Sequence, residues 1–170
     1  MQVTDVILEY SQLGRAQPGQ DLFHLRPIAL SIVEEAAEDF AAQGITAQVS
    51  IAPERVLLGS AAHFASILRH LVRNAREALV EQCTEKAREL RIDAVEESDS
   101  LVLQVADTGA GIAPEDQDKL FEPFFSTRPS SGMGLGLGMV EKMVRLYGGS
   151  IRFDSQVDQG TTFFVAFPMP

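Results

Sequence analysis

Glycine stands at every second position from Gly132 to Gly138, with Met133, Leu135 and Leu137 in between, and the run passes directly into a helical pattern. Such a stretch bares backbone N–H groups and offers no side-chain obstruction. It ends at the positive pole of a helix, the place where anions are held. A flexible linker would be richer in Ser and other polar residues and would not alternate glycine with large apolar side chains. The run therefore reads as an anion cradle that is part of a fold. It also comes late in the chain. No strand-GxGxxG-helix unit opens the sequence, which argues against a doubly wound nucleotide fold.

The rest of the chain reads as interleaved helices and strands. Val3, Val6, Ile7, Tyr10 and Leu13 form a short helical stripe, and the stretch 14–20 with Pro18-Gly19 breaks it. A strand is expected near Leu22–Leu25, and a helix from Ile28 to Gln43 with Gly44 as its stop. Ile45, Ala47, Val49 and Ile51 alternate with polar residues as a half-buried strand. Phe64 to Leu79 is the most regular amphipathic helix. Strands around Leu90–Ala94 and Leu101–Val105 flank a polar turn, and Pro114 opens a short helix. A helix from about Leu135 to Tyr147 stops at Gly148-Gly149, and strands at Ile151–Phe153 and Thr161–Phe167 close the chain. Short turns between the last strand pairs make them antiparallel. The expected class is α/β: a two-layer α/β sandwich, with a mixed, mostly antiparallel sheet and helices on one face.

Composition narrows the function. The 170 residues suit one domain, and 14 Lys and Arg against 24 Asp and Glu give a formal charge of −10. That balance argues against a nucleic-acid surface or an anionic membrane. It leaves room for a polyanionic ligand if a metal ion and backbone dipoles outweigh the overall field. Cys83 is the only cysteine, so no intrachain disulfide forms, and a reduced, cytoplasmic setting is the natural reading. The longest apolar run, Phe163–Phe167, is far short of the ~20 residues of a membrane helix.

Three further places carry chemistry. On the Phe64–Leu79 helix, His70 and Asn74 share one flank of the apolar stripe, while Arg69, Arg73 and Arg76 lie on the other. Asn74 offers a neutral carbonyl oxygen, a hard ligand suited to Mg²⁺. Taken alone, it reads as a turn-capping or solvent-facing amide. A strand runs straight into Asp107-Thr108-Gly109-Ala110-Gly111-Ile112. Asp107 can accept a hydrogen bond from an exocyclic amine such as adenine N6, and the glycines let a flat base come close. An ordinary acidic turn is the alternative. Finally, Phe121, Phe124 and Phe125 sit beside the glycine run as an anchor, with Arg128 within reach of a phosphate.

The order and spacing of these segments resemble the ATP-binding domain of bacterial sensor histidine kinases, in the superfamily shared with DNA gyrase, MutL and certain heat-shock chaperones. Arg69-His70-Leu71-Val72-Arg73-Asn74-Ala75 is similar to the N box, Asp107–Ile112 to the G1 box, Phe121-Glu122-Pro123-Phe124-Phe125 to the F box, and Gly132–Leu137 to the G2 box. The resemblance covers about residues 22–168 and implies a Bergerat-type ATP-binding fold. It implies that Asn74 binds Mg²⁺ and, with His70, forms the catalytic pair. It implies an ATP-binding set of Asp107, Gly109, Gly111, Ile112, Phe124, Arg128, Gly132, Gly134, Leu135, Gly136, Leu137 and Thr162, with 127–133 as a short lid. The activity implied is donation of the γ-phosphoryl group of Mg-ATP to a histidine on a separate dimerisation domain of the same parent, with a response regulator downstream and a homodimeric parent.

Two positions depart from the pattern. His70 stands where the N box often has Asn, and Glu77 where some kinases carry a basic residue. By helix geometry Arg69 and Arg73 do not replace that cation without a bend. His24-Leu25-Arg26-Pro27 is not read as a phosphoacceptor string, because no long helical hairpin surrounds it. Residues 1–20 are expected to be the tail of a dimerisation helix and a linker, and 21–170 the ATP-binding catalytic domain. The chain then reads as a fragment of a sensor kinase, inactive without its phosphoacceptor domain. A nucleotide-binding regulatory pseudokinase, or a stand-alone ATPase or serine kinase of the same superfamily, is the alternative.

Overall fold

The computed structural model describes residues 21–82, 85–126 and 134–169. The expected helix at 3–13, the breaker at 14–20, Cys83, Arg128, Gly132 and the lid at 127–133 lie outside the described residues. Strand β1 (Asp21–His24) leads into α1 (Leu25–Glu35) and α2 (Ala37–Gln43). The sequence predicts one helix here. The structure divides it at Ala36, whose φ of −97° and ψ of 0° leave the helical region. The break lets Ala29 and Ile32 of α1 and Phe40 of α2 all reach the core. Helix α1 also starts three residues early, because Pro27 fits in a first turn whose N–H groups need no helical partner. Gly44 closes α2 in the left-handed region, at φ 65°.

Strand β2 (Ile45–Ser50) is followed by β3 (Val56–Gly59), which pairs antiparallel with β1 as a separate two-stranded sheet. Helix α3 (Ala61–Glu81) follows, its Ser60 cap accepting from the His63 N–H at 3.4 Å. Then come β4 (Arg88–Glu97), β5 (Ser100–Asp107), α4 (Pro114–Gln117), α5 (Gly136–Leu146), β6 (Ser150–Gln156) and β7 (Gly160–Pro168). The main sheet has the order β2-β4-β5-β7-β6. Its β2–β4 pair is parallel and the other pairs are antiparallel. This is the mixed, mostly antiparallel sheet that the sequence predicts.

Alternation puts Leu90 and Ile92 of β4, Leu103 and Val105 of β5, and Phe163 and Val165 of β7 on one buried face. Leu68, Leu71 and Leu79 of α3 and Met139, Met143 and Val144 of α5 join them in the core. The other face carries Phe164, with the Arg152 guanidinium 3.7 Å above its ring. Helices α3 and α5 run antiparallel. The start of α3 meets the end of α5 where His63 Nδ1 lies 2.6 Å from the Tyr147 hydroxyl. The start of α5 therefore lies beside the middle of α3, where the point that a Gly136 Cβ would occupy is 3.4 Å from His70 Nδ1. No helix among the described residues is long and apolar enough to cross a membrane.

Candidate functional site

Asp107 is the last residue of β5 and is 8 % exposed. Its Oδ1 accepts the Gly109 N–H at 2.8 Å, which fixes the carboxylate at the strand end. The loop that follows is held from both sides. Thr108 donates its hydroxyl to the Ala87 carbonyl at 2.7 Å and accepts from the Glu89 N–H at 3.0 Å. The Ala110 N–H donates to the Ala78 carbonyl of α3 at 3.0 Å. Gly109 lies so close to α3 that a Cβ on it would fall 2.5 Å from the Ala78 carbonyl carbon. Gly111 has φ 72°, and a Cβ there would lie 2.1 Å from the Gln156 carbonyl oxygen. Only glycine satisfies both conditions. The Ile112 N–H donates to Ser155 Oγ at 2.9 Å, and Gln117 Nε2 donates to the Ile112 carbonyl at 3.0 Å.

The resemblance places Thr162 with Asp107 in the ATP-binding set. The strand register corrects it. Asp107 pairs with Thr161, whereas Thr162 pairs with Ala106 and so points to the other side of the sheet. Thr161 is buried at 4 % exposure, and its Oγ1 lies 2.8 Å from Ser155 Oγ. Asp107, Thr161 and Ser155 thus form a polar floor framed by glycine backbone. A fixed carboxylate acceptor in such a floor complements an amine donor on a flat ring.

The second half of the site is the start of α5. Its Leu135 cap makes no side-chain hydrogen bond, and its first turn holds no acidic residue, so neither the cap nor the first turn supplies a side chain to the leading amides. The point that a Gly136 Cβ would occupy lies 3.4 Å from His70 Nδ1 and 3.1 Å from an Arg73 guanidinium nitrogen. His70 is 6 % exposed. Burial first, and the Arg73 charge second, lower its pKa to about 4, so it is neutral at pH 7 and offers one donor and one acceptor. Asn74, one residue beyond Arg73, is half-buried and makes no hydrogen bond with any described residue.

The position of Arg73 is a second correction. Arg69 pairs with Glu35 through two hydrogen bonds of 3.0 Å, and Arg76 pairs with Asp39, so both reach toward α1 and α2. Arg73 departs from them. It lies only about 60° around the helix from His70, and a guanidinium nitrogen sits 3.1 Å from the Gly136 Cβ point that His70 Nδ1 approaches to 3.4 Å.

The aromatic segment anchors the loop between these halves. Phe121 stacks toward Phe153 with centroids 5.9 Å apart, and Phe153 toward Phe163 at the same distance. Phe124 has φ 68° and is 69 % exposed, so it takes part through its backbone: its N–H donates to the Gly134 carbonyl at 3.0 Å. Leu135 is buried and Leu137 packs against the core, which seats the glycine run on the domain. Arg128 and Gly132 lie outside the described residues. His24 ends β1, with its Nδ1 3.1 Å from the Pro53 carbonyl oxygen, away from the glycine run.

The described residues contain no group of three or more His, Cys, Asp or Glu placed to hold a metal. A divalent ion here would rely on the Asn74 amide oxygen together with ligand phosphates and water. That donor set suits Mg²⁺, which keeps much of its hydration shell. Sequence reasoning missed Thr161, Ser155, Gln117 and Arg73. The alternation that turns Phe163, Val165 and Phe167 inward also turns Thr161 inward, and could have found it.

Residues 59–170 match the family described as Histidine kinase-, DNA gyrase B-, and HSP90-like ATPase. The chain is 40 % identical over 116 residues to "Sensor kinase CckA" of Brucella abortus, an alignment that spans 62 % of this chain and 12 % of that protein. It is 37 % identical over 108 residues to "Autoinducer 2 sensor kinase/phosphatase LuxQ" of Vibrio parahaemolyticus, spanning 61 % and 13 %. The chain therefore spans about an eighth of these curated relatives. Among solved structures, full-length ShkA in complex with AMPPNP superposes with a TM-score of 0.82 at 23 % identity, over 98 % of this chain and 35 % of that one. The catalytic domain of histidine kinase ThkA gives 0.75 at 23 % identity, over 88 % and 95 %. These likenesses concern the fold.

Proposed function

The chain belongs to the histidine kinase-, DNA gyrase B- and HSP90-like ATPase family, and from that premise we propose that it binds Mg-ATP and donates the γ-phosphoryl group to a histidine on a separate dimerisation domain. The observation that carries the reading is the Asp107 carboxylate, fixed by Gly109 at the end of β5 and paired in register with Thr161. It supplies the acceptor that an adenine amine requires. The uncapped start of α5 supplies amides for the phosphates.

In this mechanism Asp107 selects the base, and Gly109 and Gly111, packed against the Ala78 and Gln156 backbone, hold the loop beside it. The first turn of α5 and neutral His70 hold phosphate oxygens. The Asn74 amide oxygen would hold Mg²⁺, which would supply positive charge against the phosphates. The acceptor imidazole attacks the γ-phosphorus, the bond to the β,γ-bridging oxygen breaks, and ADP leaves. The imidazole N–H proton passes to solvent, so no strong protein base is required. Catalysis then consists of positioning and charge stabilisation.

The same reading makes residues 1–20 the tail of a dimerisation helix and its linker, and 21–170 the catalytic domain. It gives a homodimeric parent and a response regulator as the downstream partner. The test is transfer of label from γ-labelled ATP to the dimerisation domain of the parent. Label that appears on a histidine, and is lost with Asn74→Ala, is the expected result. Binding without transfer would instead favour a regulatory module, and steady phosphate release without acceptor a stand-alone ATPase.

A further inference from the structure

We propose that Arg73 is the side chain of this chain that reads the terminal phosphates, and that Glu77 holds it in place until they arrive. The inference rests on the Mg-ATP reading above and deepens it. Some kinases that this chain resembles carry a basic residue at position 77, where this chain has Glu77, so that source of phosphate neutralisation is missing here. The structure supplies a cation from the preceding turn. Arg73 places a guanidinium nitrogen 3.1 Å from the point where a Gly136 Cβ would be, against the first residue of α5.

Two independent features mark that point as a ligand site. The helix start has no capping side chain and no acid in its first turn. His70, more than nine-tenths buried and without a hydrogen-bond partner among the described residues, brings its Nδ1 to 3.4 Å from the same point. Arg69 and Arg76 are committed to Glu35 and Asp39 and leave Arg73 as the α3 arginine on this side. Its own pairing is loose. Arg73 Nε lies 3.9 Å from Glu77 Oε1, beyond hydrogen-bond distance, so an anion can displace that contact at little cost.

The geometry therefore describes an exchange. Without nucleotide, Glu77 offsets the Arg73 charge beside buried His70. With nucleotide, the guanidinium turns its planar donor fork to phosphate oxygens, an arrangement Lys cannot reproduce in full.

Calorimetric titration of the full chain with ATP and with adenosine, both in Mg²⁺, tests this on Arg73→Gln, Arg73→Lys and Glu77→Gln. Arg73→Gln should weaken ATP about tenfold or more and leave adenosine unchanged, with Arg73→Lys in between. Glu77→Gln should bind ATP at least as tightly as the unmodified chain. Equal ATP affinity in Arg73→Gln and the unmodified chain overturns the assignment. So does a parallel loss of ATP and adenosine, which would show a structural role only. Failure of the unmodified chain to bind ATP would instead overturn the Mg-ATP reading on which the assignment rests.

Discussion

His70 reaches pH 7 without its proton, and that decides what it does. Burial is the larger cause of its lowered pKa and the Arg73 charge the smaller. A neutral imidazole beside α5 can hold a phosphate oxygen or accept a proton, but brings no charge of its own. The shift has a consequence for stability. The unfolded chain takes up a proton on His70 near pH 6.5, whereas the folded chain resists until about 4. The contribution is therefore complete above pH 6.5 and is lost as pH falls toward 4. Between pH 7 and pH 5 it amounts to about 2 kcal/mol. Urea unfolding at the two pH values should show a smaller decline in His70→Asn than in the unmodified chain, by about that amount. An identical decline in both would show that His70 titrates normally.

The pairing of β5 with β7 is the element that brings Thr161 beside Asp107, and Gly160 permits it. It has φ 109°, and a Cβ there would lie 1.9 Å from the Asp107 carbonyl oxygen. Gly160→Ala must push the start of β7 away from the end of β5 and take Thr161 with it. We expect a loss of about 2 kcal/mol or more in chemical denaturation. Gly44→Ala has a positive φ but nothing within 4 Å, so it should cost only about 1 kcal/mol of backbone strain. Equal losses would contradict the close approach. At this scale the long elements were legible in the sequence. The stripe of α3 and the alternation of β4, β5 and β7 are long enough to show their periods. The break at Ala36 was not, because Ala36 fits the helical stripe and neither Gly nor Pro marks it. Strand β3 was not, because Val56–Gly59 is too short to show alternation. In the site, Asp107 and its glycines were legible from a strand running into a turn. Arg73 was not, since helix angles fix where a Cβ points and leave open where a long guanidinium ends.

Over the whole molecule, a formal charge of −10 surrounds a site meant for a polyanion. The fold answers this with local devices. Antiparallel α3 and α5 are fastened at one end by His63 and Tyr147. Midway along α3, the start of α5 meets His70 and Arg73. Arg69 and Arg76 are spent on holding α1 and α2 against α3. On the proposed reading a divalent metal would carry much of the task of neutralising phosphate, and ATP without it should bind weakly. The most direct measurement is a calorimetric titration of the full chain with ATP and with GTP, in Mg²⁺ and in a chelator, repeated on Asp107→Asn. The account predicts binding of ATP in Mg²⁺, little binding of GTP or of ATP in chelator, and a loss of about tenfold or more in Asp107→Asn. Equal affinity for ATP and GTP, or an Asp107→Asn chain that binds ATP as the unmodified one does, would contradict it.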